Sequence, residues 1–112
     1  MKIRKEYTCP LELTHDIIRG KWKPIILWTL GKEPLSLARL QREINGITQK
    51  MLLEQISELL PFGLITKETF EGYPLKVQYS LTDRGRKLLE AITIMQAIGA
   101  ELLTEEDMGN IP

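Results

Sequence analysis

The chain has 112 residues, of which 43% are hydrophobic and 27% are charged, and its formal net charge at pH 7 is zero. This composition is typical of a single soluble globular domain spanning residues 1–112. The sequence lacks an apolar run of about 18 residues, so we expect no membrane-spanning helix. The charged N-terminus does not resemble a secretory signal, and the single cysteine excludes an internal disulfide, which together favour a cytoplasmic location.

The charges are unevenly distributed along the chain. Residues 1–50 contain ten Lys/Arg and five Asp/Glu, and residues 51–112 contain five and ten, so the two parts carry +5 and −5. This asymmetry indicates a basic surface on one side of the molecule and an acidic region elsewhere. It does not identify a partner.

Two helices are predicted within residues 9–35. Pro10 is favoured at the first position of a helix, which makes Cys9 the predicted N-cap, and Gly20 ends this helix. The second helix, residues 21–30, carries apolar residues almost all round, including both tryptophans of the chain. We therefore expect it to be the buried centre of the fold.

Residues 36–60 have the pattern of a helix-turn-helix. Ser36 is a predicted N-cap for a short helix, Asn45-Gly46 forms the turn, and Thr48 is a predicted N-cap for a longer helix. Leu52, Ile56 and Leu59 share the inward stripe of that longer helix. The opposite face carries Lys50, Leu53, Glu54 and Ser57.

In a helix-turn-helix the second helix enters the DNA major groove with its N-terminal residues at base edges. Thr48, Gln49 and Lys50 are therefore the leading candidates for base and phosphate contacts. A helical hairpin in an ordinary bundle needs the same caps and the same apolar stripe. Residues 36–60 alone do not decide between these interpretations.

The next segment predicts a β-hairpin within residues 64–81. Residues 64–70 and 76–81 alternate and are rich in β-branched and aromatic side chains. A hairpin directly after a helix-turn-helix is typical of a winged helix. Lys67 and Lys76 are the wing residues that we expect at the DNA backbone.

Residues 82–103 predict a long final helix. Its apolar residues repeat every seven positions and form a seam broader than one small core covers, which favours packing against a second subunit. The alternative is that the helix folds back on its own domain. The residues assigned to this interface are Leu88, Ile92, Met95 and Leu102.

No catalytic or metal-binding motif is found. One His and one Cys cannot form a tetrahedral metal site without other ligands, and His15 lies on a different side of the first helix from Cys9. No glycine-rich phosphate loop of familiar spacing is present. We therefore predict no enzyme activity, no metal and no cofactor.

Together these residues resemble the HxlR family of bacterial winged helix-turn-helix regulators, over residues 9–103. The resemblance implies a cytoplasmic homodimer, joined through its N- and C-terminal helices, that binds double-stranded DNA containing an inverted repeat. The matching blocks are Cys9-Pro10, Gly20-Lys21-Trp22, Leu37 to Leu40, Gly46 to Leu52, Gly63-Leu64-Ile65, Val77 to Thr82, and Gly85.

The chain departs from the family pattern at four positions. Glu54 replaces a neutral polar residue and Ser57 a basic one, which makes the outward face of the second helix less positive. Glu54 can accept a hydrogen bond from a cytosine amino group but repels phosphates, and Leu53 can contact a thymine methyl group. Leu75 stands in place of a proline in the wing, and Ile98 in place of a tryptophan in the last helix.

The resemblance also concerns Cys9, because some members of the family sense disulfide stress or electrophiles through a cysteine at this position. An N-cap sulfur lies at the positive end of the helix dipole, which favours the thiolate. The chemistry then available is a disulfide between the two Cys9 residues of a dimer, a mixed disulfide with a small thiol, or alkylation. The alternative is a cysteine that only packs the first helix.

The predicted fold is thus α+β and mostly helical, a winged helix-turn-helix with flanking N- and C-terminal dimerisation helices. Two functions remain open. The first is a homodimeric, sequence-specific transcriptional regulator, a repressor or an activator. The second is a winged-helix protein-interaction module with little DNA affinity, which Glu54 and the zero net charge favour.

Overall fold

A computed structural model describes residues 6–107 of the chain. Five α-helices, one short 3-10 helix and a two-stranded antiparallel sheet follow one another in the order of a winged helix-turn-helix, which confirms the predicted fold class. The elements are α1 (Pro10–Ile17), α2 (Trp22–Thr29), α3 (Leu37–Glu43), α4 (Gln49–Leu59), the 3-10 helix (Leu60–Phe62), β1 (Ile65–Phe70), β2 (Lys76–Leu81) and α5 (Asp83–Asp107).

The helix-turn-helix is delimited by local hydrogen bonds. The hydroxyl of Ser36 accepts a hydrogen bond from the amide of Arg39 at 3.2 Å, and that of Thr48 accepts one from the amide of Met51 at 3.1 Å. Gly46 has a φ of 86° in the turn between α3 and α4, a value that favours glycine. Both predicted caps and the predicted turn are confirmed.

The core lies where α2, α3 and α4 meet the base of the sheet. Each helix contributes its apolar stripe, and the sheet contributes the residues nearest to α4 and α5. The most deeply buried side chains are those of Ile26, Leu27, Leu30, Leu35, Leu40, Leu52, Ile56 and Leu59.

The expectation that α2 is the buried centre of the fold is confirmed for one side of the helix and is wrong for the other. Ile26 and Leu27 are fully buried, but the side chains of Ile25 and Trp28 are each 36% exposed. The helices α3, α4 and α5 pack around α2 and leave this stripe uncovered. The apolar character of α2 therefore exceeds what its own protomer buries.

The hairpin is attached to the connection between α2 and α3. Leu35 and Tyr79 exchange both backbone hydrogen bonds, at 2.9 and 2.8 Å. Leu35 thus acts as a third strand of one residue beside β2. Tyr79 is buried at this junction, and its burial raises the pKa of the phenol above its ordinary value. The sequence analysis did not predict this attachment.

The start of α5 is held closely against the end of the 3-10 helix. The hydroxyl of Thr82 accepts a hydrogen bond from the amide of Gly85 at 3.0 Å and donates one to the carbonyl of Gly63 at 2.5 Å. A Cβ atom on Gly85 would lie 2.1 Å from the carbonyl oxygen of Leu64, so only glycine fits at this position.

The final helix is longer than predicted. We expected it to end at residue 103, but it continues to Asp107. Residues 104–107 contain no helix-breaking residue, and the hydroxyl of Thr104 donates a hydrogen bond to the carbonyl of Ala100 at 3.0 Å. No helix within the described residues is long and apolar enough to cross a membrane.

Candidate nucleic-acid interface

The outward face of α4 is the main candidate for nucleic-acid contact. Because Leu52, Ile56 and Leu59 anchor the helix in the core, the 100° rotation per residue directs the opposite stripe outward. This outward stripe carries Lys50, Leu53, Glu54 and Ser57, and all four are exposed. Thr48 and Gln49 lie at the start of the helix, outside this stripe, and are exposed as well.

These side chains offer different chemistry to a base pair. The amide of Gln49 can form two hydrogen bonds with adenine, Lys50 can bind guanine or a phosphate, and the exposed Leu53 can contact a thymine methyl group. The hydroxyl of Ser57 donates a hydrogen bond to the carbonyl of Glu54 at 2.7 Å. Ser57 thus uses its proton within the helix and has only acceptor capacity left for DNA.

An ion pair joins α4 to the centre of the protein. Nζ of Lys23, a buried residue of α2, lies 2.5 Å from Oε1 of Glu58 in the last turn of α4. The Lys23 ammonium lowers the pKa of the Glu58 carboxyl below its ordinary value. The sequence analysis missed this pair, although a lysine within an otherwise apolar helix was a signal that it needs a buried partner.

The two wing lysines are exposed, but the structure does not bring them together. In the antiparallel register Lys67 lies opposite Tyr79, whereas Lys76 lies opposite Phe70. Opposed residues share a face and successive residues alternate, so the two lysines are on opposite faces of the hairpin. A single DNA backbone lying along one face of the wing would meet one of them.

The basic character of residues 1–50 is partly neutralised. Besides the Lys23 pair, the guanidinium of Arg39 lies 3.3 Å from the carboxylate of Glu33 and 3.2 Å from that of Glu43. These contacts direct Arg39 toward its own helix and the preceding connection. Lys50, by contrast, is exposed at the start of α4.

The residues assigned to the dimer interface divide into two pairs. Leu88 is half-buried and Ile92 is only 4% exposed, and both pack against the core of their own protomer. Met95 and Leu102 are 55% and 49% exposed. The uncovered part of the seam therefore lies in the second half of α5.

This uncovered seam continues onto α2. Ile25 and Trp28 line one shallow cavity together with Met95, so the exposed stripe of α2 and the exposed stripe of α5 form one apolar surface. Sequence analysis assigned no interface role to Ile25 or Trp28. The signal was present, because α2 carries apolar residues on more sides than a small core can cover.

Cys9 lies at the N-cap of α1, as predicted, and is exposed. Its amide donates a hydrogen bond to the carboxylate of Glu12 at 3.3 Å, and the amide of Glu12 donates one to the carbonyl of Cys9 at 3.1 Å. The same carboxylate accepts a hydrogen bond from the amide of Thr8. The backbone of residues 8–12 thus fixes the position of the cysteine.

No metal-binding arrangement is found in the part of the chain that the structure describes. Among the side chains described, those of residues 6–105, no three His, Cys, Asp or Glu come close enough to hold an ion.

The family model and several relatives that this chain matches are described as helix-turn-helix or regulatory proteins. A family model described as HxlR-like helix-turn-helix matches residues 17–107. The regulatory protein MalR of Fusobacterium mortiferum is 41% identical over 99 residues, which cover 88% of this chain and 93% of MalR. Several relatives from Bacillus subtilis are named HTH-type transcriptional regulators.

Solved structures with the same fold include two regulators. The redox regulator HypR in its reduced form is 34% identical, with a TM-score of 0.79 over 89% of this chain and 96% of HypR. The reduced transcriptional regulator YodB of Bacillus subtilis is 29% identical, with a TM-score of 0.73 over 81% of this chain and 90% of YodB. These similar proteins are transcriptional regulators and not enzymes.

Proposed function

Because this chain belongs to the HxlR-like helix-turn-helix family, we propose that it is a homodimeric transcriptional regulator that binds double-stranded DNA containing an inverted repeat. The observation that carries this proposal is the exposed start of α4, where Thr48, Gln49 and Lys50 are all accessible to solvent. A DNA-binding regulator acts in the compartment that contains the DNA, which agrees with the expected cytoplasmic location.

Homodimerisation is supported by the uncovered apolar surface. Met95 and Leu102 on α5, together with Trp28 on α2, expose more apolar area than a monomer of this size needs to expose. If two protomers pack against each other through α5 about a two-fold axis, the dimer carries two copies of α4. Their major-groove sites would then lie about 34–36 Å apart, one turn of DNA.

The second candidate function is a protein-interaction module with little DNA affinity. Glu54 favours it, because this carboxylate is exposed between Leu53 and Ser57 on the face that would approach phosphates. The zero net charge of the chain acts in the same direction. The two functions differ in one measurable property, the enrichment of a specific DNA sequence.

We also propose that Cys9 senses oxidants or electrophiles. The cysteine is exposed and free in the described structure, and a similar protein of known structure is named as a redox regulator. Exposure gives small oxidants access to the sulfur, whereas a cysteine that only packs α1 would be covered. Either a disulfide between two Cys9 residues, a mixed disulfide or alkylation would change the start of α1.

The experiment that tests the main proposal is selection of duplexes from a random pool at low salt, followed by sequencing. A regulator with this geometry enriches an inverted repeat whose half-sites are one helical turn apart. A pool that shows no enriched motif after repeated rounds would favour the interaction module.

A further inference from the structure

An apolar cavity of about 510 Å³ lies between α1, the 3-10 helix and the first turns of α5. Its volume is within the range of small-molecule sites, about 300–1,000 Å³. It is separate from the exposed face of α4 and from the apolar surface around Met95. Its apolar lining consists of Leu13, Ile17, Pro61, Phe62, Leu64 and Leu88.

Thr14 and two basic side chains complete the lining. Arg84 and Lys87 belong to the first two turns of α5, and among the described residues that line the cavity none carries a carboxylate. Nη1 of Arg84 donates a hydrogen bond to the carbonyl of Phe62 at 2.8 Å, which holds the guanidinium at the cavity wall. A guanidinium has further N–H donors that can bind an anion.

An apolar cavity with cations at its wall selects a particular kind of ligand. A neutral hydrophobic molecule gains no ion pair with Arg84 or Lys87, and a highly charged anion leaves the apolar wall unused. We propose that this cavity binds an organic carboxylate with one negative charge and an apolar body. Its apolar part lies against Leu13, Ile17 and Leu88, and its carboxylate lies at Arg84 and Lys87.

Part of the cavity lining directly follows α4 in the chain. Pro61 and Phe62 follow the last turn of α4 directly, and Leu64 leads into the wing. A ligand that contacts these residues therefore touches the segment that joins α4 to β1. Binding itself does not depend on DNA, so it can be measured on the free protein.

The direct test is calorimetric titration of the full chain with naphthoate and with the corresponding neutral alcohol, naphthalenemethanol. The two probes share the same apolar body and differ in charge. We expect saturable one-site binding of naphthoate, with about two- to fivefold weaker binding of the alcohol, as the loss of a partly exposed ion pair implies. Equal affinity for both probes, or no binding of either, would overturn the proposal.

Two variants test the location of the site, and a third serves as the control. All three substitutions are at exposed residues, so we expect the variants to fold. Thr14→Trp places an indole at the cavity lining and should abolish naphthoate binding. Lys87→Gln should weaken it about two- to fivefold, as expected for a partly exposed ion pair. Arg86→Gln is the matched control, because Arg86 is exposed on the same turn, does not line the cavity and should leave binding unchanged.

One further outcome concerns a second copy of the chain as the occupant. The titration is repeated at protein concentrations on both sides of the dimerisation range. Constant naphthoate affinity supports the proposal. An affinity that falls as the dimer forms would mean that the partner fills the cavity, and would overturn it.

Discussion

Nζ of Lys23 and Oε1 of Glu58 lie 2.5 Å apart and join the first turn of α2 to the last turn of α4. Lys23 is buried in an apolar helix, where an unpaired ammonium would be costly. The pair therefore fixes the end of α4 relative to the core.

The first prediction concerns the stability of this pair. Glu58→Gln leaves the buried Lys23 ammonium without its carboxylate, so we expect the free energy of unfolding to fall by about 1.5–3 kcal/mol, the range for a hydrogen bond to a charged group. Urea denaturation measures the change. In a double-mutant cycle with Lys23→Met, the loss in the double variant should be smaller than the sum of the two single losses. Additive losses would show that the two residues do not interact.

The second prediction is the pH dependence of the same contact. The Lys23 ammonium lowers the pKa of Glu58 below its ordinary value of 4.5. A carboxyl with a lowered folded-state pKa contributes stability above its unfolded-state pKa, and this stability is lost as the pH falls through the folded-state value. The unfolding free energy of the wild type should therefore decline below about pH 4.5. Glu58→Gln should decline less over the same interval, and an identical decline would contradict the assignment.

The third prediction concerns assembly through α5. Replacing Met95 and Leu102 together by Glu puts two carboxylates into the proposed interface, where burial without a partner costs several kcal/mol, roughly. We expect sedimentation velocity to show monomers, or the protein to become insoluble. Ala97→Glu is the control, because Ala97 is exposed and lies about 200° from Met95 around the helix. A wild type that sediments as a monomer at micromolar concentration would refute the proposed dimer.

The fourth prediction concerns the reactivity of Cys9. Because the sulfur is exposed, we expect diamide or a quinone to modify it within minutes and to change the affinity for the selected DNA. Intact-mass measurement distinguishes a disulfide between protomers from a mixed disulfide or an adduct. Cys9→Ser should bind DNA normally and no longer respond to either reagent. If treatment modifies Cys9 without changing DNA affinity, the cysteine has no sensor role.

Local features were predicted from the sequence because their physical causes are local. Ser36 and Thr48 cap the helices that begin immediately after them, and Gly46 supplies the turn that joins these helices. Each depends on a few adjacent residues. The exposed face of α4 followed from the same reasoning, since the apolar stripe of a helix fixes its opposite side.

Features that depend on distant residues were not predicted. The bridge between Leu35 and Tyr79 joins residues far apart in the chain, and it adds a third strand of one residue to the sheet. No local sequence pattern predicts this strand. The strand register decides that Lys67 and Lys76 lie on opposite faces. Hydrophobicity alone did not reveal that Trp28 would remain partly exposed, because it reports the tendency to be buried and not which surface covers the residue.

The proposed DNA interface on α4 can be tested by three substitutions, one of which removes a positive charge, one a neutral amide and one a negative charge. Lys50→Ala removes a phosphate or base contact and should lower affinity for the selected inverted repeat, with the salt slope reduced by about 1. Gln49→Ala should lower affinity for that repeat by about 1–3 kcal/mol and leave nonspecific binding nearly unchanged. Glu54→Gln removes a repulsive carboxylate from the same face and should raise affinity.

Binding to DNA is measured by fluorescence anisotropy of a labelled inverted-repeat duplex, titrated with the wild type over a series of salt concentrations. We expect tight binding of two protomers per duplex, a steep linear fall of log affinity with log salt, and much weaker binding to a scrambled duplex. Equal affinity for the inverted repeat and the scrambled duplex at every salt concentration would contradict the proposed function.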